Sequence, residues 1–351
     1  MNYQMQIDSV VQSMARQIDV HGTDAIKPGN NGPYYDKETN IRNLAHWCVI
    51  FSEYYRHTED SIYREYTIAL ADAIVSSDHY YDVGVYKCRI GAGKDEMNGV
   101  IGAAWIIEGL IAASKVTGQM KYYERAKQIF LAHKFNYKMG LWNRVNLNGN
   151  ILSIDSTFNH QLWFAAAGAI INNFKKDKII QDMIDRFAEK LPRNITVRRN
   201  GRIGHFTYND KNGFLAWPVL TFKNLKSSFA EWRNSKSLAY KEAGYHTFNL
   251  LGLALLQENT AVPLSFFKTD RFKKCINYAL SEDFYKELCF ADRTKDSTNI
   301  SSQLSENFNV FSFAYNSPAF ELPRVMRCFN IEESKWQPLC EKFMIKQMEL
   351  T

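Results

Sequence analysis

The stretch Ile154–Ile170 reads IDSTFNHQLWFAAAGAI, and it predicts a helix that is buried on all sides. Asp155 and the two residues after it carry short oxygen-bearing side chains, which accept hydrogen bonds from the unpaired N–H groups of a first helical turn. No charged residue occurs between Leu162 and Ile171, so this helix has no face for solvent. We therefore expect a cleft at its start, lined by Asp155, Asn159, His160 and Trp163.

The same pattern, an asparagine followed by an apolar helix rich in small residues, recurs along the chain. The copies are RNLAHWCVI, MNGVIGAAWIIEGL, FNHQLWFAAAGAI, FNLLGLALL and FNVFSFAY, with asparagines at Asn43, Asn98, Asn159, Asn249 and Asn309. The spacing is about 60 residues with one longer step, which fits a hairpin of two long helices with its loops. We therefore predict an all-α fold, an (α/α)6-type toroid of helical hairpins, with these five segments as inner helices and a few short β-hairpins in the loops.

The chain is expected to form one domain over residues 1–351. Its 351 residues are 46% hydrophobic, enough for a large core, and no linker rich in proline or serine interrupts it. The long step between two repeats is explained by an insertion at about 194–237. This insertion could form a wall of the cleft and contribute His205, Tyr208 and Trp217, or it could be a solvated surface loop.

Charge and cysteine usage restrict the function classes. The net charge of +6 is spread along the chain, which mildly favours an acidic ligand and gives little support for nucleic-acid binding. The six cysteines show no metal-finger spacing, so we expect free, buried thiols in a reducing compartment. No stretch approaches the length of a membrane span, and we predict a cytoplasmic protein.

Signatures of bound cofactors are absent from the sequence. There is no HExxH zinc motif, no dinucleotide fingerprint and no complete phosphate loop, and serine hydrolase motifs are also missing. We therefore expect neither a cofactor nor a metal.

Two aspartates are the first candidates for catalysis. Asp95 and Asp155 lie about one repeat apart, so they fall at equivalent ends of neighbouring inner helices, whose axes are about 8 to 10 Å apart. Cleavage of a glycosidic bond uses a proton donor and a second carboxylate, and these two side chains could face one substrate. Alternatively both cap helix starts. Glu96 and Glu242 are reserves for either role.

Histidine and arginine also recur near the repeat asparagines. His46, His160 and His246 could bind sugar hydroxyls or a uronate, or could abstract a proton, although a lone histidine in this setting is more often part of the core. Arginine can hold a carboxylate through two parallel hydrogen bonds. The predicted catalytic residues are Asp155, Asp95, His160 and His246. The predicted substrate-binding residues are Tyr34, Arg42, His46, Glu96, Asn98, Trp142, Arg144, Asn159, Trp163, Glu242 and Tyr245.

Four segments together resemble a known family: GPYYDKETNIRNLAHW, KDEMNGVIGAAWIIEGL, GLWNRV and LSIDSTFNHQLWFAAAG. They resemble the archaeal and bacterial agl-cluster protein AglQ family, which is encoded beside glycosyltransferases and belongs to the six-hairpin glycosidase superfamily. The resemblance extends from about Asn31 to Gly168. That superfamily is also similar to the unsaturated glucuronyl hydrolases, in which two aspartates act at neighbouring inner helices, and Asp95 and Asp155 match that placement.

The resulting hypothesis is a cytoplasmic carbohydrate-active enzyme of glycan assembly or processing. It would hydrolyse a glycosidic bond in an acidic, uronate-containing oligosaccharide, with Asp155 as general acid and Asp95 as its partner. An alternative is a uronate lyase or C5-epimerase, in which His160, His246 or Tyr245 abstracts the proton beside a carboxylate held by arginine. A third possibility is a non-catalytic glycan-binding or scaffold protein.

Overall fold

A computed structural model describes residues 3–91, 93–207, 238–261, 264–290, 308–313 and 316–350. The chain folds mainly into helices: α1 (Tyr3–His21), α2 (Ile41–Thr58), α3 (Ser61–Val75), α4 (Ile101–Thr117), α5 (Met120–Ala132), α6 (Phe158–Phe174), α7 (Lys178–Asn194), α8 (His246–Glu258), α9 (Asp270–Ala279), α10 (Glu282–Cys289), α11 (Pro318–Cys328) and α12 (Gln337–Leu350). Seven short strands lie in the loops: β1 (Asn30–Asn31), β2 (Asp36–Lys37), β3 (Tyr80–Tyr81), β4 (Val85–Tyr86), β5 (Phe135–Asn136), β6 (Leu141–Val145) and β7 (Ile151–Ile154).

Five of the helices form an inner layer. α2, α4, α6, α8 and α11 pack side by side in that order, and each is followed in the chain by an outer helix that packs back against the layer. The predicted all-α toroid of helical hairpins is confirmed. The inner helices α2 and α6 begin within a few residues of the starts predicted from the sequence.

The inner helices are buried because their sequences offer no polar face. In α6 every side chain from Phe158 to Asn172 is buried except that of His160. Small residues let neighbouring helices approach closely, since a Cβ atom on Gly252 of α8 would lie 3.0 Å from the Leu162 side chain of α6. The outer helices are amphipathic instead, and α7 buries Ile180, Ile184, Phe187 and Leu191 along one stripe.

The predicted start of the fifth inner helix is wrong. The segment FNVFSFAY was expected to be helical, but residues 308–313 form turns and α11 begins at Pro318. Proline fits the first turn of a helix, where its missing N–H needs no partner. Asn309 is fully buried and holds the turns together, because its side chain donates to the Tyr240 carbonyl and accepts from the Phe311 N–H.

The short strands form three antiparallel sheets, in the order β1-β2, β3-β4 and β5-β6-β7. The predicted short β-hairpins in the loops are confirmed. The turn between β6 and β7 contains Asn148 and Gly149, and Gly149 adopts the left-handed conformation with φ of +82°. After α7 ends at Asn194, the chain folds into a tight hairpin in which Val197 pairs with Ile203. Residues 205–207 then run beside the start of α6, where Phe206 pairs with Thr157. Tyr208 and Trp217 lie outside the described residues, and the single-domain assignment stays a prediction.

All six cysteines are free thiols, and five of them are buried. No helix in the described ranges combines the length and apolar composition needed to cross a bilayer.

Candidate functional site

A polar cleft lies at the amino-terminal ends of α4 and α6. It consists of two adjoining cavities of about 220 and about 360 Å³, which share Arg89, Asn98, Thr157 and His160 as lining residues. Eight of the predicted site residues line this cleft: Tyr34, Asp95, Asn98, Arg144, Asp155, Asn159, His160 and Tyr245.

The centre of the cleft is a hydrogen-bonded pair formed by Asp155 and His160. The Nδ1 atom of His160 lies 2.8 Å from Oδ2 of Asp155. The same carboxylate accepts hydrogen bonds from the backbone N–H groups of Thr157 and Val100. Burial alone would raise the pKa of Asp155, but the His160 ring and these two N–H groups outweigh it and lower the pKa to about 2. Asp155 is therefore ionised at neutral pH.

Asp95 lies beside this pair. Its Oδ2 accepts from the backbone N–H of Gly99 at 3.2 Å, while Oδ2 of Asp155 accepts from the next N–H along the chain, that of Val100, at 3.1 Å. Consecutive amides at the start of α4 therefore hold the two carboxylates next to each other. Neither aspartate is a helix N-cap, because α4 and α6 begin after Val100 and Thr157, which serve as N-cap residues without a side-chain cap hydrogen bond. Both carboxylates line the cleft instead.

Gly99 makes this close arrangement sterically possible. A Cβ atom at this position would lie 2.1 Å from Oδ2 of Asp155 and 2.5 Å from Nδ1 of His160. Its φ of +62° is also in the left-handed region, which residues with a side chain adopt at a cost. No residue other than glycine fits here without moving Asp155 and His160.

The β6-β7 hairpin brings Asp155 to the cleft. Gln161 of α6 is fully buried and clamps the base of this hairpin, because its side chain accepts from the Trp142 N–H and donates to the carbonyls of Trp142 and Asp155. On the same hairpin, Arg144 donates to Asp95 at 3.2 Å and to the Ser153 hydroxyl at 3.0 Å. The hairpin and α6 thus position the Asp155 and Asp95 carboxylates together.

One wall of the cleft carries positive charge. Arg89 lines both cavities, and its buried Nε atom has no hydrogen-bond partner among the described residues. Lys241 lines the smaller cavity among the rings of Tyr34, Tyr245 and Phe311. Burial, helped by Arg89, lowers the pKa of Lys241 to about 8, so its amine is mostly charged at neutral pH.

Two further groups face the smaller cavity. Asn159 is buried, and its Oδ1 atom has no hydrogen-bond partner within the described part of the chain. His205, on the extended segment after α7, is held beside α6 because its carbonyl accepts from the Phe158 N–H. Burial, followed by the charge of Lys241, lowers the pKa of His205 well below its usual value, so this ring is neutral.

Three predicted site residues lie elsewhere, in a separate cavity between the five inner helices, here called the central cavity. Arg42 and His46 of α2 and Trp163 of α6 line it. From the sequence we expected these three residues in one site with Asp155. They line the central cavity and not the cleft.

Two predicted residues are core residues, which corrects the expectation that they act in the site. His246 is fully buried; its Nδ1 accepts from the Ile203 N–H and its Nε2 lies 3.0 Å from the Cys275 carbonyl. Burial lowers the pKa of His246 to about 4, so it is neutral at physiological pH. Trp142 is also fully buried, and its ring packs against Phe130 and other core aromatics instead of a ligand.

Two acidic candidates are corrected in the same way. Glu242 is buried and paired with Arg198 and Arg202, so its oxygens are already used by protein groups. It also accepts from the His205 N–H and thereby supports the wall of the cleft. Glu96 lies on the surface, where it pairs with Lys87 at 2.8 Å.

Sequence reasoning missed three residues that build the cleft: Gly99, Gln161 and Lys241. The glycine follows the repeat asparagine only in the second copy, which was a usable signal. The other two carry no distinctive local pattern. No group of three or more His, Cys, Asp or Glu side chains in the described ranges is arranged to hold a metal ion.

Known proteins resemble this chain in sequence and in fold. No family profile matches it. It is 31% identical over 337 residues to archaeal glycosylation protein Q of Haloferax volcanii, and the alignment covers 93% of this chain and 85% of that protein.

Two solved structures are similar in fold. One is the unsaturated glucuronyl hydrolase from Bacillus sp. GL1, responsible for the degradation of glycosaminoglycan, with a TM-score of 0.54 at 12% identity over 95% of this chain and 81% of that chain. The other is a variant of UGL with dGlcA-Glc-Rha-Glc, with a TM-score of 0.53 at 13% identity over the same shares of the two chains. These likenesses show a shared toroid of helical hairpins. The 31% sequence identity to archaeal glycosylation protein Q over 93% of this chain shows the family as well as the fold. This protein belongs to the archaeal glycosylation protein Q family.

Proposed function

We propose that this protein is a carbohydrate-active enzyme of glycan assembly or processing, and that it hydrolyses a glycosidic bond in an acidic, uronate-containing oligosaccharide bound in the cleft. The observation that carries the proposal is the pair of carboxylates on consecutive amides, Asp95 and Asp155, facing the basic wall of Arg89 and Lys241. The name of its relative, a glycosylation protein, supports a role with glycans.

The ionised state of Asp155 changes the assignment of roles. A carboxyl group with a pKa of about 2 carries no proton at neutral pH, so it has none to donate as a general acid. We assign the proton transfer to His160 instead. Its Nδ1 is held by Asp155, which orients the ring and leaves Nε2 to exchange a proton with the substrate. Asp95 then serves as the second carboxylate that glycoside cleavage requires.

The basic wall supports an acidic substrate. Arg89 and Lys241 can pair with a uronate carboxylate, and charge-assisted hydrogen bonds of this kind are stronger than neutral ones. The buried Oδ1 of Asn159 can accept a hydrogen bond from a sugar hydroxyl. The free buried thiols support a reducing compartment such as the cytoplasm, and the partner we propose is an acidic sugar rather than a nucleic acid.

Mass spectrometry of uronate-containing oligosaccharides incubated with the protein tests this proposal. We expect wild type to make a product that has gained the mass of water. Asp270→Asn should make the same product, because the Asp270 carboxylate is exposed and is not part of the cleft, and this variant is the matched control. Asp155→Asn, which keeps the shape but not the charge, should lose the product. Full turnover by Asp155→Asn would contradict a role of Asp155 in hydrolysis. Oligosaccharide binding without any product would favour the glycan-binding alternative.

A second candidate, a uronate lyase or C5-epimerase, is favoured by the Asp155–His160 pair itself. A histidine oriented by a carboxylate can abstract the proton beside a uronate carboxylate. Cleavage without added water, with a new absorbance from a 4,5-unsaturated sugar, would indicate the lyase. Deuterium uptake from solvent without cleavage would indicate the epimerase.

A further inference from the structure

The central cavity is larger than the cleft and lies on the other side of a short segment of chain. Its volume is about 960 Å³, and all five inner helices contribute to its lining. The segment around β1 and β2 separates the two spaces, because Asn31 and Tyr34 line the cleft while Pro33 and Tyr35 line the central cavity. A space of this size in the middle of the fold is within the usual range of ligand cavities.

Aromatic rings form much of the wall of the central cavity. Trp105 of α4, Trp163 of α6 and Phe248 of α8 line it, and each is largely buried. The Trp163 and Phe248 rings stack with centroids 4.5 Å apart, and the indole N–H of Trp163 donates to the Phe248 carbonyl. These rings are therefore held rigidly, which suits contact with the C–H face of a sugar ring.

A buried carboxyl group in the same wall has one oxygen atom without a hydrogen-bond partner. Glu321 of α11 is 8% exposed, and its Oε2 atom has no hydrogen-bond partner among the described residues. Burial raises the pKa of Glu321 to about 7, so the group can donate or accept a hydrogen bond near neutral pH. Buried polar atoms in folded proteins are nearly always satisfied, and a ligand hydroxyl would satisfy this one.

The charges in the central cavity are nearly balanced, in contrast to the cleft. Arg42 pairs with Glu38 at 2.8 Å, and its guanidinium lies over the Trp105 ring. Burial raises the pKa of Glu108, the other acidic residue in the wall besides Glu321. The wall therefore favours a neutral ligand with hydroxyl groups over an anion.

We propose that the central cavity is a binding site for a neutral sugar unit, with Trp105 and Trp163 as its stacking surfaces and Glu321 as its hydrogen-bonding group. This site does not depend on the hydrolysis proposed for the cleft, and it can exist whether or not the cleft is catalytic.

Calorimetric titration of the full chain with glucose, cellobiose, maltose and lactose tests the inference. We expect at least one of these neutral sugars to bind wild type. Leu251 lines the cavity from α8, so Leu251→Trp should fill the space and abolish that binding. Glu321→Gln keeps the shape and should weaken binding about threefold to tenfold, the value of one hydrogen bond. Lys241→Gln changes only the cleft and should leave neutral-sugar affinity unchanged.

Three results would overturn the inference. The first is no binding of any of the four sugars at sugar concentrations of tens of millimolar, and the second is binding that Leu251→Trp leaves intact. The third is binding that Lys241→Gln abolishes, because the sugar would then lie in the cleft. Circular dichroism and thermal melting of each variant separate loss of the site from loss of the fold. Failure of the hydrolase proposal is a different result, because it is read from product formation with uronate-containing oligosaccharides.

Discussion

Replacing Gly99 by alanine should disrupt the Asp155–His160 pair. The new Cβ atom would lie 2.1 Å from Oδ2 of Asp155, far inside van der Waals contact, so the carboxylate must move by about 1 Å. That movement weakens the hydrogen bond from the Val100 N–H and the contact with His160, which are 3.1 and 2.8 Å long in the native protein.

The expected cost has two parts. Alanine at a φ of +62° costs about 1 kcal/mol in backbone strain. Weakening two hydrogen bonds to a buried carboxylate adds about 2 to 3 kcal/mol. We therefore expect Gly99→Ala to lower the free energy of unfolding by about 3 to 4 kcal/mol.

Gly118 provides a matched control on the same helix. It follows the carboxyl end of α4 with φ of +73°, and a Cβ atom there would have no neighbour within 4 Å. Gly118→Ala should therefore cost only the backbone strain, about 1 kcal/mol. Urea denaturation followed by circular dichroism measures both values.

Turnover of an oligosaccharide substrate is the second readout. A displacement of about 1 Å at catalytic groups can reduce the rate about 100-fold, so Gly99→Ala should be nearly inactive and Gly118→Ala fully active. The reasoning would be refuted if the two variants lost the same free energy of unfolding and Gly99→Ala kept its turnover.

The remaining predictions concern the basic wall and the corrected residues. Burial and then Arg89 lower the pKa of Lys241 to about 8, so the affinity of wild type for a uronate-containing oligosaccharide should fall as pH rises through 8. Lys241→Arg should keep its affinity, because arginine stays charged over this range. Calorimetric titration on either side of pH 8 measures both affinities, and equal pH profiles for the two proteins would contradict the role of this amine. Glu242→Ala should lower the free energy of unfolding by about 1 to 3 kcal/mol, because Arg198 and Arg202 lose a buried partner, although Arg198 is partly exposed and Arg202 still pairs with Glu287. Glu242→Gln should be milder in urea denaturation, and a loss below about 0.5 kcal/mol would argue against this structural role. Burial lowers the pKa of His133 and of His246 to about 4, so the unfolded chain binds more protons than the folded one between pH 6.5 and about 4. Stability should thus fall as pH drops through this window, by about 3 kcal/mol per pH unit from the two rings together, and a flat profile in urea denaturation would show that they are not buried neutral.

Several parts of the fold were predictable because they depend on local pattern. The absence of charge from Leu162 to Ile171 is enough to bury α6 on every side, and α7 shows its outer position through an apolar stripe. The Asn148-Gly149 pair specifies a hairpin turn by its own backbone preference. The start of the fifth inner helix could not be predicted from local pattern. The turns at 308–313 depend on the contact of Asn309 with Tyr240, which lies far away in sequence.

The sequence alone determined the ring of hairpins and most of the polar residues at the mouth of α6, since helix periodicity and burial follow from the order of apolar and polar residues. Only the tertiary structure decided which way each of these residues faces. His160 and His246 both lie within about one turn of a repeat asparagine, yet one meets Asp155 in the cleft and the other is enclosed by Ile203 and Cys275. The need for glycine at position 99 likewise arises from the approach of Asp155 on a different element. These outcomes depend on how separate helices pack around the ring, and local sequence does not encode that packing.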